Sequence, residues 1–571
     1  MAVSLVNRFA LCMSWMLCIQ TTYAYKTEVR HAELVNELTL RSLPIPTGID
    51  VAITQVESPN SNEQNGVDFM PSLNDSQFTG KTITDQTGSG TTSPHATTVA
   101  RNLYGLSTSM APGINFVDVY QANDWLNNQG WQSGDPSVEK NLLQNHSWIG
   151  FTTGNGATAR MDFAVERDGF LPIVGIYNSD FGTQDIPSDI PEIYGSIYNG
   201  ISVGVSDGTH RTGVTSSADG PGRIKPEIVA PNAFTSFATP YVTAAAALLI
   251  ESAGADNEAK RQQVIKATLL AAADKSPFPD WDQTSARPVD DIYGAGQLDV
   301  YESYFIQEAG QQTAGSTIDP RGWNFASVGS NSPETYNITV PSGFTLRNLS
   351  ALVTWNRTVS RARFFANYTP DTLVNLTLTL AQQPTGINQT SNSPVDNLEH
   401  IWRDTANELG AGDYTLTVTS NRATSYAIAW RSELYQDYTS WASVNFTTTP
   451  LTDQDPSDDP DSDGIENLLE RAFGGDPEQN HDLNILPISQ TVTDSGNDYL
   501  EISFRTPTFQ NDLTYTIETV TDLNGIWSSI PSAVSLQAIQ PEPGDFDRYV
   551  YRRVAPIAAH EKAFLRVSIT Q

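Results

Sequence analysis

Apolar positions recur with two different periods along this chain, and the change from one to the other divides it. Between about residues 46 and 309, apolar runs at 50–57, 114–120, 141–149, 171–177 and 200–205 alternate with helically spaced stretches at 96–104, 157–168 and 237–252. Strand and helix in turn predict crossover units, and so an α/β fold with a parallel sheet covered by helices on both faces. Residues 25–45 hold one amphipathic stretch, 32–38, closed by Pro44 and Pro46, which predicts a leader helix or short extension. From 310 to 442 the helical period vanishes. Segments at 336–340, 349–355, 375–380, 414–419 and 426–430 alternate apolar and polar residues, the pattern of an all-β sandwich. An acidic linker, 443–480, follows, and 481–571 reads as a small β-rich C-terminal module with strands near 499–505, 513–520 and 563–569.

Charge removes whole classes of function. With 32 Lys+Arg against 65 Asp+Glu the net charge is −33, and no basic cluster reverses it locally. Such a polyanion is repelled by phosphate backbones and anionic lipid, so neither a nucleic-acid partner nor a membrane-surface role is expected. At the start, Arg8 precedes an apolar run from 9 to 19, too short to span a bilayer, and Ala24 closes a small-residue site at 22–24. Residues 1–24 therefore read as a secretory signal peptide, and the expectation is a protein secreted to the extracellular space or periplasm, without a membrane anchor and as a monomer. Both cysteines, Cys12 and Cys18, fall inside that segment, which leaves the mature chain without a thiol.

The candidate chemistry begins at Ser236. It lies in Thr235-Ser236-Phe237-Ala238-Thr239-Pro240, after Lys225-Pro226-Glu227-Ile228-Val229-Ala230-Pro231 and just ahead of the Ala-rich run 244–249. The start of a buried helix favours negative charge, which suits a nucleophile beside an oxyanion; the same spacing also suits a plain helix cap at Thr235 or Ser236. These two blocks resemble the nucleophile region of the subtilases, the subtilisin-like serine peptidases. Ser93-Pro94-His95-Ala96-Thr97, with Met110-Ala111-Pro112-Gly113, is similar to the histidine block of that family, in the order His before Ser. The resemblance covers roughly half the chain, through 291–299. It implies Ser236 as nucleophile, His95 as general base, and Asn178, after the strand 171–177, as a side-chain donor to the oxyanion. Ser147, Trp148 and Ile149 resemble the segment along which subtilases lay an extended substrate. Taken alone, a single His is more often structural and an Asn after a strand is an ordinary turn former.

The acid member is open. Where the family ends its first strand in Asp, this chain has Gln55-Val56-Glu57-Ser58, so either Glu57 or, two residues back, neutral Gln55 faces the histidine; strand alternation puts both on one face. Other departures are Ala96, Phe234 and Tyr241 at positions where the family has Gly, Gly and His, a short loop of only 232–235 before the serine, and too few residues before about 47 for a folding-assistant prodomain. In the linker, Asp459, Asp461, Asp463, Gly464, the carbonyl of Ile465, and Glu470 fit the twelve-residue calcium-loop spacing, which predicts a structural Ca2+; a solvated acidic turn is the plain alternative. No cofactor is expected for catalysis. The resulting expectation is a secreted serine endopeptidase acting on protein or peptide substrates through an acyl-enzyme. The alternative is a catalytically silent subtilase fold serving as a secreted binding or adhesion module.

Overall fold

The computed structural model describes residues 25–571 apart from 61–65, 151–155, 179–192, 212, 218–219, 331, 363–365, 481–484 and 560–561. The proposed signal peptide lies outside the described residues. After helix α1 (His31–Leu40), seven strands form one parallel sheet: β1 (Ala52–Glu57), β2 (Thr82–Asp85), β3 (Phe116–Gln121), β4 (Leu143–His146), β5 (Leu171–Gly175), β6 (Ile201–Val205) and β7 (Ile228–Ala230). Their order across the sheet is β2-β3-β1-β4-β5-β6-β7. From β1 the chain goes to the edge with β2, returns beside β1 with β3, then crosses to the other side with β4. That reversal leaves a crevice outside the carboxyl ends of β1 and β4, where open α/β sheets place their ligands. The register pairs Val56 with His146, so Glu57 and Ser147 emerge together at this point.

Helices α2 (Pro94–Tyr104), α3 (Ala122–Asn127), α4 (Gly156–Asp168), α5 (Thr235–Ser252), α6 (Gln262–Ala272) and α7 (Val300–Glu308) accompany the sheet. The Ala-rich face that gives α5 its low side-chain bulk lets it lie flat beneath the sheet, buried almost all round, with the Thr243 hydroxyl donating to Asn145 of neighbouring segment 143–146 at 3.0 Å.

The second half is antiparallel. One sandwich layer runs β8 (Arg321–Val328), β15 (Thr424–Gln436), β10 (Thr345–Thr354), β13 (Leu398–Arg403); the other runs β9 (Glu334–Val340), β14 (Gly412–Ser420), β11 (Leu376–Gln383), β12 (Asn388–Ser391). Tyr336, Leu349, Trp355, Leu378, Leu416 and Trp430 fill the space between the layers. The outer face of the first layer meets α6. Trp323, Leu352, Leu398, Ala427 and Ala429 join the same apolar cluster as Leu269 and Leu270, so the two halves share one core. Each large side chain buried this way contributes about 1.5–3 kcal/mol.

Polar contacts lock the same junction. Asn397 Nδ2 donates to Tyr198 O at 2.8 Å, the Ile224 N–H donates to Asp396 Oδ1 at 3.0 Å, and Asn199 Nδ2 donates to Arg357 O at 2.9 Å. Beyond α8 (Tyr438–Asn445) and α9 (Asn467–Phe473), the C-terminal module has a four-stranded sheet, β16 (Ile488–Asp494), β17 (Asn497–Pro507), β20 (Phe546–Arg553), β19 (Val534–Glu542), and a pair, β18 (Thr514–Val520) with β21 (Phe564–Thr570). Arg41, just after α1, pairs with Asp547 of this module at 2.6 Å.

Candidate active site

His95 is placed by its own local sequence. Ser93 caps α2, accepting from Ala96 N at 3.2 Å, and Pro94 takes the first helical position, which puts His95 second in the helix at the carboxyl end of β1. Its Nδ1–H faces Glu57 Oε2 at 3.0 Å, and Glu57 is fully buried. Gln55 does not meet the ring. Its amide donates to the other Glu57 oxygen, Oε1, at 2.9 Å and accepts from the Tyr104 hydroxyl at 2.8 Å. Of the two residues the sequence left open, Glu57 is the one on the histidine, and Gln55 holds it in place. Burial alone would lower the His95 pKa; the hydrogen bond to Glu57 and its charge outweigh that and raise it above the ordinary 6.5. The ion pair therefore adds stability below about pH 6.5 that fades as pH rises through the elevated value.

Ser236 is the second residue of α5, not a cap. Phe234 holds the N-cap position without a side-chain cap, and the Thr235 hydroxyl donates to Ile176 O. The missing cap comes from Asn178, whose Oδ1 accepts the Thr235 N–H at 2.8 Å from 57 residues away. This fixes the Asn178 amide and leaves its NH2 group, like the Ser236 backbone N–H, without a protein acceptor among the described residues. Phe237 ties α5 to α2, its ring 5.4 Å from the His95 ring and its carbonyl accepting from Asn102 Nδ2, near the other end of α2, at 3.3 Å. The Ser236 hydroxyl and the His95 ring lie at this junction without a hydrogen bond between them. Such contacts are commonly loose before substrate arrives.

Phe234 has φ −139, extended backbone open to any residue, so the loss of glycine here introduces no strain. Its side chain is 51% exposed and meets Phe237 edge-on at 6.0 Å. Tyr241 stacks face to face on Tyr25 at 3.8 Å, and its hydroxyl accepts from Asn232 in the short loop before the serine. The strand predicted over 141–149 ends at His146, and 147–150 leaves the sheet at the crevice. Ser147 accepts from Asn145 Nδ2 at 2.9 Å, Trp148 donates to His146 Nδ1 at 3.2 Å, and Ile149 is half-buried. His146 is fully buried, and desolvation holds its pKa down to about 3, so it stays neutral behind this segment.

A separate group of candidates lies in the linker. Asp459, Asp461 and Asp463 bring carboxylate oxygens within 4.8 Å of one another, a donor set able to hold a metal ion. Gly464, at φ +90, makes the turn, its N–H donating to Asp459 Oδ2 at 3.0 Å, while Ile465 N–H donates to Asp463 Oδ1 at 2.8 Å. Asp459 Oδ1 and Asp461 Oδ2 are buried without a hydrogen-bond partner. Glu470, on α9, is fully buried, and desolvation together with Asp461, Asp463, Asp476 and Asp459 pushes its pKa up to about 8.

No known protein-family model matches the chain, nor does any curated protein. Solved structures do. The maturation protease PagA of prenylagaramide is 17% identical, over 45% of this chain and 93% of that one, with a TM-score of 0.30. A cold-adapted subtilisin-like serine proteinase is 16% identical, over 44% and 88%, with a TM-score of 0.30. The self-cleaved protease domain of PatA is 15% identical, over 47% and 100%, with a TM-score of 0.32. These three matches cover 44–47% of this chain. The remaining chain forms the additional β-sheets.

Sequence reasoning did not find the supporting residues. Gln55 drew notice only as a rival to Glu57. The capping role of Asn178 has no local signature, because the helix start it serves is remote in sequence.

Proposed function

We propose that this protein is a subtilisin-like serine endopeptidase. The reading rests on one observation above the rest: a fully buried Glu57 carboxylate 3.0 Å from His95 Nδ1, at the crevice where Ser236 opens a buried helix. In that reading Ser236 Oγ attacks the scissile carbonyl and its proton passes to His95 Nε2. Glu57 holds the Nδ1–H tautomer and stabilises the imidazolium. The tetrahedral oxyanion takes hydrogen bonds from Asn178 Nδ2 and the Ser236 N–H, two donors already fixed before substrate arrives. His95 then gives its proton to the leaving amine, and water releases the acyl-enzyme. Ser147, Trp148 and Ile149 supply an extended edge for a peptide.

Asn178→Ala is expected to lower kcat by about 100- to 1,000-fold with little change in KM, since the lost donor acts on the transition state. Steady-state kinetics on an unstructured fluorogenic peptide check this; a change confined to KM counts against the oxyanion role.

We further propose that the linker loop holds Ca2+ through Asp459, Asp461, Asp463, the Ile465 carbonyl and Glu470, supplying the hard oxygen ligands this ion prefers. The ion's charge relieves the mutual repulsion of these carboxylates and stiffens the loop at the start of α9. Calcium at a hundred times its Kd is expected to stabilise the loop and α9 by about 2.7 kcal/mol. Calorimetry with and without a chelator measures this, and an Asp461→Asn protein that responds equally would sink the assignment. The leader read in residues 1–24 is carried as the proposal that the chain is exported.

A further inference from the structure

Where α1, α7 and the first sandwich layer meet, a cavity of about 780 Å³ opens, well away from Ser236. Two cations line its inner wall, Lys275 just past α6 and Arg431 on β15, 5% and 8% exposed. Lys275 Nζ donates to Ala273 O at 3.0 Å, and its ammonium lies 4.5 Å from the Trp402 ring centre and 5.3 Å from that of Trp281. The Arg431 guanidinium lies 5.6 Å from the same Trp402 ring, and its Nε is buried without a hydrogen-bond partner. Among the described residues neither cation forms an ion pair.

The nearby carboxylates are engaged elsewhere. Asp299 pairs with Arg30 at 2.9 Å, Glu302 with Arg321 at 2.9 Å, and Asp274 accepts from both the backbone and the hydroxyl of Ser276. Asp274 and Asp299 attract Lys275, and Asp299 and Glu302 attract Arg431, only at longer range; a buried cation without a direct ion pair is costly, and two side by side also repel. The indole faces offset part of this cost. An anion between them would offset far more, and a guanidinium is shaped for a carboxylate or phosphate.

Two features choose between those anions. The acidic rim and the net charge of −33 disfavour a multiply charged ion. Trp281 and Trp402 present flat apolar surface beside the cations, in a volume typical of sites for small organic molecules. We propose that this cavity binds an organic carboxylate, its charge between Lys275 and Arg431 and its apolar body against Trp402 and Trp281. The site stands apart from the peptidase reading and does not depend on it.

Burial pushes the Lys275 pKa well below its ordinary value, Arg431 adds to that, and Asp274 and Asp299 oppose it; buried His400 also faces this pair, its own pKa lowered by burial and by both cations.

Titration calorimetry of the full chain with benzoate, neutral benzamide and inorganic phosphate tests the proposal. Expected are saturable binding of benzoate, no saturable binding of benzamide, and at least about a tenfold loss of benzoate affinity in Arg431→Gln. Benzamide binding as well as benzoate, phosphate binding in place of benzoate, or unchanged affinity in Arg431→Gln overturns it. The benzoate–benzamide comparison needs no variant, so it decides the matter even if Arg431→Gln fails to fold.

Discussion

Ser236→Ala is expected to lower kcat/KM for an unstructured peptide by about a million-fold while leaving the fold intact. Removing the hydroxyl of a half-buried residue disturbs no hydrogen bond of α5: Thr235 is anchored to Ile176 and Asn178, and Phe237 and Ala238 donate to Phe234 O. The loss is confined to the nucleophile. Two measurements check it together, hydrolysis of a fluorogenic peptide and stoichiometric labelling by a fluorophosphonate mapped by mass spectrometry. Wild-type label on Ser236 that vanishes in the variant, with activity, is the expected pair. A wild-type protein that is folded, calcium-loaded and unlabelled would remove the peptidase reading and shift attention to the β-rich half as a binding module.

Glu57→Gln is the second large effect, with an expected fall of about ten-thousandfold in kcat. The amide is nearly isosteric, and it sits in the same cradle of Gln55 and Tyr104. What disappears is the charge that fixes the His95 tautomer and stabilises its protonated form. The pH profile gives a readout that a merely structural role would not move. In the wild type, activity is expected to be lost as pH falls through the raised His95 pKa, because the protonated ring cannot accept the serine proton. Glu57→Gln removes both influences that raise it and leaves burial, which lowers it, so the residual activity has its acid limb at lower pH. An acid limb that stays in place, or moves upward, contradicts the assignment of Glu57.

The parallel sheet and the sandwich were legible because each shows its period in the sequence: continuous apolar runs where both faces are covered, alternation where one is. The element ends were less so, for reasons specific to the site. The run 141–149 predicts a longer strand than β4, since Ser147 and Trp148 keep the composition of a strand while hydrogen bonds to Asn145 and His146 turn the segment out of the sheet. Helix α5 begins two residues before the predicted 237, because its first N–H is satisfied from Asn178, a partner no local window contains. The choice between Gln55 and Glu57 needed the third dimension, as the two side chains share a face and differ only in depth. Nothing in 394–400 announces that Asp396 and Asn397 bind the backbone at Ile224 and Tyr198, for such contacts depend on how two halves pack rather than on their own periodicity.

Helix α6 lies between helices α5 and α7 of the first half and the first sandwich layer of the second, and that carries a consequence for how such a protein can change over evolutionary time. Many multi-part proteins trade modules by recombination because each part keeps its own interior dry. Here Leu352, Leu398 and Ala427 complete the interior that Leu269 and Leu270 begin. A gene fusion carrying only the first 309 residues into a new setting would deliver the parallel-sheet half with an open seam. The sandwich thus belongs to the body of the first half, and diversification is left to the surfaces the two halves do not share.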